Sequence, residues 1–255
     1  MASALPKLAL LRDSFPDRPA FGTAVSEAIL GRVADGEQAA TLRLHRPGAE
    51  LALSKQDAAA PGFDAAVAAG RAAGFEPVLR LAGGRAAAFH EQTIALAMAT
   101  PEPDAARTTR DRFVSIAGAV AETLRSLGVD ARVGEVAGEY CPGAWSVNAR
   151  GAVKLAGIGQ RLVSGAAHVG GVIVVGGSGR LRELLVPVYD ALGLEWDPAT
   201  VGSVEDEVGP VGLDAVEEVL LARLARDWEL VPARLDPDVL ALAGELEATR
   251  MAGAR

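Results

Sequence analysis

The chain is poor in the residues from which most recognisable sites are built. One cysteine in 255 residues excludes an intrachain disulfide framework and is compatible with a reducing cytoplasm. Aromatic residues make up only 4%, so the core must be assembled from alanine, valine and leucine. Basic residues are outnumbered 25 to 33, for a net charge of −8, which argues against a nucleic-acid or anionic-membrane partner. No apolar run approaches the roughly 20 residues that span a bilayer. The short apolar run within residues 1–15 has no basic flank ahead of it and is not read as a secretory signal. Three histidines, His45, His90 and His168, occur without H-x-x-x-H, Cys/His or D-x-D spacing, so no metal site is expected. G-x-G-x-x-G, the phosphate loop ending in Lys-Ser/Thr, and G-x-S-x-G are all missing. The glycines at 157–159 and 176–179 complete neither nucleotide motif. What remains is a cytoplasmic globular protein with a sizeable core.

Hydrophobic periodicity supplies the organisation. Helices are expected at 21–34, 61–73 and 107–127; the last has Phe113, Ile116, Val120, Leu124 and Leu127 on one face and Gly128 at its end. Strands are expected at 41–46, where apolar and charged residues alternate as in a half-buried strand, with 50–54 as its partner. Further strands fall at 76–81, 86–90, 93–99 and 129–133, a hairpin over 144–148 and 153–160, and a strand at 171–175. Residues 1–20 read as an irregular lead-in; helices over 179–193, 212–228 and 236–251 close the chain. This predicts an α/β (α+β) fold with a central mixed, largely antiparallel sheet flanked by helices. A domain over 1–195 would be followed by a helical segment over 196–255.

Two stretches carry candidate chemistry. Cys141 stands before Pro142-Gly143, a turn that can present a sulfur at a strand edge. A lone cysteine is usually a small buried hydrophobe; acting as a nucleophile requires a nearby cation or base, for which Lys154 or a distant histidine are the candidates. The other stretch, Arg80-Leu-Ala-Gly83-Gly84-Arg85, puts paired glycines between two strands, where a backbone can bend sharply and approach a ligand. Its plain alternative is a hairpin turn with solvated arginines. Arg107, Arg110 and Arg112 open the long helix, either as a solvated helix start or as a dock for an acidic carrier.

Taken together, these stretches resemble the lipoate–protein ligase and octanoyltransferase family, relatives of the biotin–protein ligases, over residues 20–195. Arg80-x-x-Gly83-Gly84-Arg85-x-x-x-x-His90 is similar to the family's glycine turn. Lys154-Leu-Ala-Gly157-Ile-Gly-Gln160-Arg161 is similar to its lysine strand, and His168-Val-Gly-Gly171 to the strand after it. Cys141-Pro-Gly-Ala-Trp-Ser146 resembles the cysteine motif of one transferase branch. The resemblance implies an eight-carbon acyl chain lying between the glycine turn and the lysine strand, with Arg80, Gly83, Gly84, Arg85, His90, Gly157, Gln160 and His168 binding substrate. Cys141 would carry the acyl group as a thioester, and Lys154 would sit by the acyl carbonyl. Partners would be lipoyl-domain proteins or an acyl carrier protein, with no cofactor. ATP would enter only if the chain were instead a lipoate–protein ligase; a non-catalytic binder of acyl groups or carriers is the third alternative. The chain departs from the family pattern at Ser54-Lys55, Glu91, Ser146 and Ala152-Val153. Seen as a pocket-facing strand residue, Lys154 would be removable at little cost to folding.

Overall fold

In the computed structural model the chain is described over residues 4–253. In chain order it forms β1 (Lys7–Leu11), α1 (Pro19–Ala34), β2 (Thr41–His45), β3 (Glu50–Leu53), α2 (Lys55–Ala58), α3 (Phe63–Ala72), β4 (Glu76–Leu79), β5 (Ala87–Phe89), β6 (Thr93–Pro101) and α4 (Thr109–Ser126). There follow β7 (Ala131–Val133), β8 (Val147–Ala149), β9 (Val153–Val163), β10 (Ala166–Val174), α5 (Ser178–Leu192), α6 (Val204–Val208), α7 (Leu213–Leu224), β11 (Glu229–Pro232) and α8 (Pro237–Arg250).

Eight strands make a mixed sheet in the order β11-β1-β2-β6-β10-β9-β8-β7, antiparallel from β2 to β7 and parallel where β1 meets β2 and β11. The expected mixed, largely antiparallel sheet is therefore present. Its strands alternate as period-two sequences should. Leu42 and Leu44 of β2 with Ile94, Leu96 and Met98 of β6 pack on α4 and α7 in the largest core cluster. The opposite face is covered in part by α1 and α8, whose apolar sides form a second cluster with Ala99 and Ala166. Pro19 sits in the first turn of α1, where its missing N–H costs nothing. A small sheet, β4-β3-β5, packs with α3 and α5 over the rest of that face.

Three expectations are corrected. The lead-in holds β1, an inner strand of the sheet; residues 1–3 of it lie outside the described residues. The strand at 50–54 does not pair with β2: Pro47-Gly48 turns the chain, and β3 joins the small sheet between β4 and β5. The segment 196–255 contains the expected helices and also β11, which extends the main sheet in parallel with β1. That edge strand, Glu229–Pro232, is only four residues long, is mostly exposed and ends in a proline, too little pattern to read as a strand in the sequence.

Candidate active site

Between the two sheets lies a largely apolar cavity of about 500 Å³, a size suited to a small molecule. Its floor is the face of the main sheet opposite α4. One row of residues runs across four strands there: Arg43 of β2, Ala97 of β6, Gly170 of β10 and Gly159 of β9. The turn between β4 and β5, Ala82-Gly83-Gly84, forms the roof over β9. It comes so close that a Cβ on Gly159 would lie 2.8 Å from that of Ala82. Phe113 and Trp145, stacked 5.6 Å apart, contribute a wall.

Cys141 stands beside this roof. Its backbone adopts φ +44°, a left-handed conformation unusual for a residue with a side chain. The Tyr189 hydroxyl holds it there, accepting from the Cys141 N–H at 2.7 Å and donating to the Ala86 carbonyl at 2.9 Å. Burial and the charge of Cys141 push the Tyr189 phenol up, so it stays protonated and able to serve both partners. The Cys141 Sγ accepts from the Arg85 backbone N–H at 3.3 Å and from Arg80 Nη2 at 3.5 Å. Arg80 is itself fixed by donating to the Arg85 carbonyl at 2.5 Å. Gly84, at φ +103°, makes this packing feasible: a Cβ there would stand 2.8 Å from the sulfur and 2.6 Å from Arg80 Nη2. Burial pushes the Cys141 thiol up. The charges of Arg80 and Lys154, with the hydrogen bonds from Arg80 and Arg85, outweigh it and hold the thiol below its ordinary value.

Lys154 is near the cysteine, but its ammonium is not on the sulfur. It donates to the carbonyls of Cys141 at 2.7 Å and Tyr140 at 3.0 Å and to Glu139 Oε1 at 3.2 Å, and lies 4.9 Å from the centre of the Tyr140 ring. Glu139 is fully buried and also accepts from the Ser146 hydroxyl and the N–H groups of Gly143 and Val136. The lysine thus clamps the backbone that carries Cys141 while projecting positive charge toward the sulfur.

Of the residues singled out in the sequence, Arg80, Gly83, Gly84, Cys141, Lys154, Gly157, Gln160 and His168 line the cavity. Gln160 is tied to α4, donating to the Thr109 carbonyl and accepting from Arg112. Of Arg107, Arg110 and Arg112, it is Arg112 that is spent on this internal bond, and Arg107 lies before the start of α4. Arg85 contributes its backbone N–H, and its guanidinium turns away to Asp57 at 3.6 Å. His90 does not reach the cavity: its Nδ1 accepts from the Gln92 N–H and its ring packs beneath Gly177 at the start of α5. His168 lies on the floor, one same-face position along β10 from Gly170, and burial lowers it to about 4, so it is a neutral imidazole at pH 7. The sequence reading gave no role to Glu139, Tyr189, Asp57, Arg43 or Glu50. For Glu139 a signal existed in its position two residues before Cys141; for Tyr189, 48 residues downstream of Cys141, there was none.

The site therefore combines a largely apolar cavity with a thiol held below its ordinary value beside it, on a mixed α/β sheet. Residues 18–225 match the lipoyl protein ligase A/B catalytic domain family, and the chain belongs to that family. An octanoyl-GcvH:protein N-octanoyltransferase of Geobacillus kaustophilus is 27% identical over 208 residues, covering 82% of this chain and 72% of the relative. One of Exiguobacterium sibiricum is 32% identical over 200 residues, covering 74% and 71%. Likeness of this extent to named transferases makes the chain a transferase enzyme. The fold is also that of a bi-partite lipoate protein ligase from Thermoplasma acidophilum solved in a study with its E2 lipoyl domain, at a TM-score of 0.71 and 19% identity over 96% of this chain and 93% of that one.

Proposed function

We propose that the protein transfers an octanoyl group from a carrier protein to the lysine of a lipoyl domain, by way of a thioester on Cys141. The observation that carries this reading is the seating of the Cys141 sulfur against Arg80 and the Arg85 N–H, beside a glycine-roofed acyl cavity. The curated relatives support octanoylated GcvH as the donor.

In the first half-reaction the Cys141 thiolate attacks the carbonyl carbon of the octanoyl amide on the donor lysine. The C–S bond forms, the C–N bond breaks, and the departing amine takes up a proton. The carbonyl oxygen gains negative charge as the tetrahedral intermediate forms; the Arg80 guanidinium, beside the sulfur, supports that charge. In the second, the neutral amine of an acceptor lysine attacks the thioester, a C–N bond forms, the amine loses its proton, and Cys141 leaves as thiolate. A depressed thiol serves both halves, because thiolate is the attacking species and the leaving group. Lys154 positions the cysteine backbone and supplies part of the field that keeps the sulfur charged. No nucleotide enters, since the acyl group is exchanged between two lysine amides of like energy.

Octanoylated GcvH-type donor, an apo lipoyl domain and the protein are to be mixed without ATP, and the acceptor mass followed. Gain of an octanoyl group on the acceptor with equal loss from the donor is expected. Acceptor labelling that needs free octanoate and ATP would instead make the protein a ligase. Carrier binding with no labelling under either condition would make it a non-catalytic binder.

A further inference from the structure

The turn that roofs the cavity is braced from behind. It leaves β4 with Arg80 and enters β5 at Ala87, and both ends rest on the last residues of β3. The Arg80 N–H donates to the Leu53 carbonyl at 3.0 Å, and Ala87 pairs with Ala52. From Leu53 the chain passes straight into the first turn of α2, where Ser54 and Asp57 form a capping box. Asp57 is fully buried. Its Oδ2 accepts from the Ser54 N–H and hydroxyl, both at 2.9 Å. Its Oδ1 accepts no hydrogen bond among the described residues and faces Arg85 Nη1 at 3.6 Å.

Capping α2 occupies only one oxygen of that carboxylate. The other, buried without a hydrogen bond, is costly unless a cation compensates it, and Arg85 is that cation. What hangs on Arg85 is the cysteine. Its N–H donates to the Cys141 Sγ, and its carbonyl holds the Arg80 Nη2 that also faces the sulfur. The next carbonyl, of Ala86, holds the Tyr189 hydroxyl that receives the Cys141 N–H. These three contacts to Cys141 all bear on the Arg85-Ala86 segment. The turn itself does little to fix that segment, because Gly83 and Gly84 before it are exposed and free in their backbone angles. The tie from Asp57 to the Arg85 side chain supplies what the glycines lack.

We propose that Asp57 is a positioning residue of the transfer site: through its ion pair with Arg85 it fixes the Arg85 peptide, and with it the two donors that face the Cys141 sulfur. This rests on the transferase reading above for the role of the sulfur. Positioning and bare charge act on the thiol with opposite signs. The field of a carboxylate disfavours a nearby thiolate, so Asp57→Asn with the turn unmoved would leave the Cys141 thiol where it is or lower it further. Loss of the brace instead lets the Arg85 N–H and Arg80 move off the sulfur, and the thiol rises, since those two donors help to hold it down.

The readout is the pH midpoint of Cys141 alkylation by iodoacetamide, followed by intact mass on full-length protein that circular dichroism shows to be folded. Cys141 is the one cysteine of the chain, so the added mass reports it alone. Asp57→Asn should move the midpoint up, toward 9.0. Ser54→Ala weakens the cap and leaves the ion pair in place, so it should lower the urea midpoint and leave the alkylation midpoint unmoved. If Asp57→Asn does not fold, Arg85→Met decides, because it keeps the backbone N–H and removes the guanidinium. The charges that lower the thiol are those of Arg80 and Lys154, and Arg85 acts through its N–H. A rise in Arg85→Met that Arg85→Lys reverses is therefore transmitted through the turn. A midpoint that stays or falls in Asp57→Asn overturns the proposal, as does an equal rise in Ser54→Ala or, where Arg85→Met decides, no rise there. Alkylation needs no carrier, so failure of the ATP-free transfer assay would sink the transferase reading and leave the brace standing.

Discussion

Lys154→Ala should unfold the protein far more readily than the position of a pocket-lining strand residue suggests. The Lys154 side chain is 2% exposed and that of Glu139 is 0% exposed, and the two are paired at 3.2 Å. Removing the ammonium leaves a buried carboxylate without its counter-charge and takes the donor from the Cys141 and Tyr140 carbonyls. Breaking a buried pair from one side costs about 3–5 kcal/mol, a large share of a typical total stability of ~5–15 kcal/mol. Three hydrogen bonds still reach Glu139, which keeps the loss within that range. With an m-value of up to ~3 kcal/mol per molar, the urea midpoint should fall by about 1 M or more. Adding Glu139→Gln removes the stranded charge, so the double variant should lose clearly less than the sum of the singles. Equilibrium urea unfolding of all four proteins checks this. A Lys154→Ala midpoint indistinguishable from wild type, or strict additivity, would refute the reasoning that the pair is a structural clamp.

Gly84→Ala forces a side chain into φ +103° and against the sulfur, so stability should fall by about 1–3 kcal/mol, and labelling of Cys141 by iodoacetamide should slow by on the order of tenfold as Sγ moves off its donors. The pH profile of that labelling should have its midpoint below 9.0, the ordinary thiol value, because Arg80 and Lys154 outweigh burial. Arg80→Met, which removes the largest lowering influence, should move the midpoint upward. Because the folded value is the lower one, the wild-type thiol contributes stability that is present above the unfolded value and lost as pH falls through the folded value. Tyr189→Phe orphans the Cys141 N–H and should cost about 1–3 kcal/mol in thermal or urea unfolding.

The glycine turn and the lysine strand were legible because short motifs fix short-range geometry. Gly83-Gly84 permits a sharp bend, and 144–148 and 153–160 flanked Ala149-Arg150-Gly151, a turn, which is enough for a hairpin. His90 misled because it stands one residue beyond β5: the chain leaves the sheet there, and the ring drops beneath α5 instead of facing the cavity. Arg43 misled for a different reason. Alternation of Leu42, Arg43 and Leu44 predicts one wet face, yet both faces of β2 are covered, because α1 and the cavity close over the second one. Period-two patterning reports which face packs on the core and is blind to what a later element places on the other. The clamp around Cys141 was invisible for the same physical cause. Tyr189 and Arg80 reach it from α5 and from the end of β4, and contacts of that separation leave no spacing to read.

The direct test is whether Cys141 becomes acylated. The protein is incubated with octanoylated donor carrier and no ATP, quenched in acid, and its intact mass is taken. The account predicts one octanoyl adduct, removed by hydroxylamine and absent from Cys141→Ser. Octanoyl transfer to the acceptor that proceeds undiminished in Cys141→Ser, with no adduct on the wild-type protein, would contradict it.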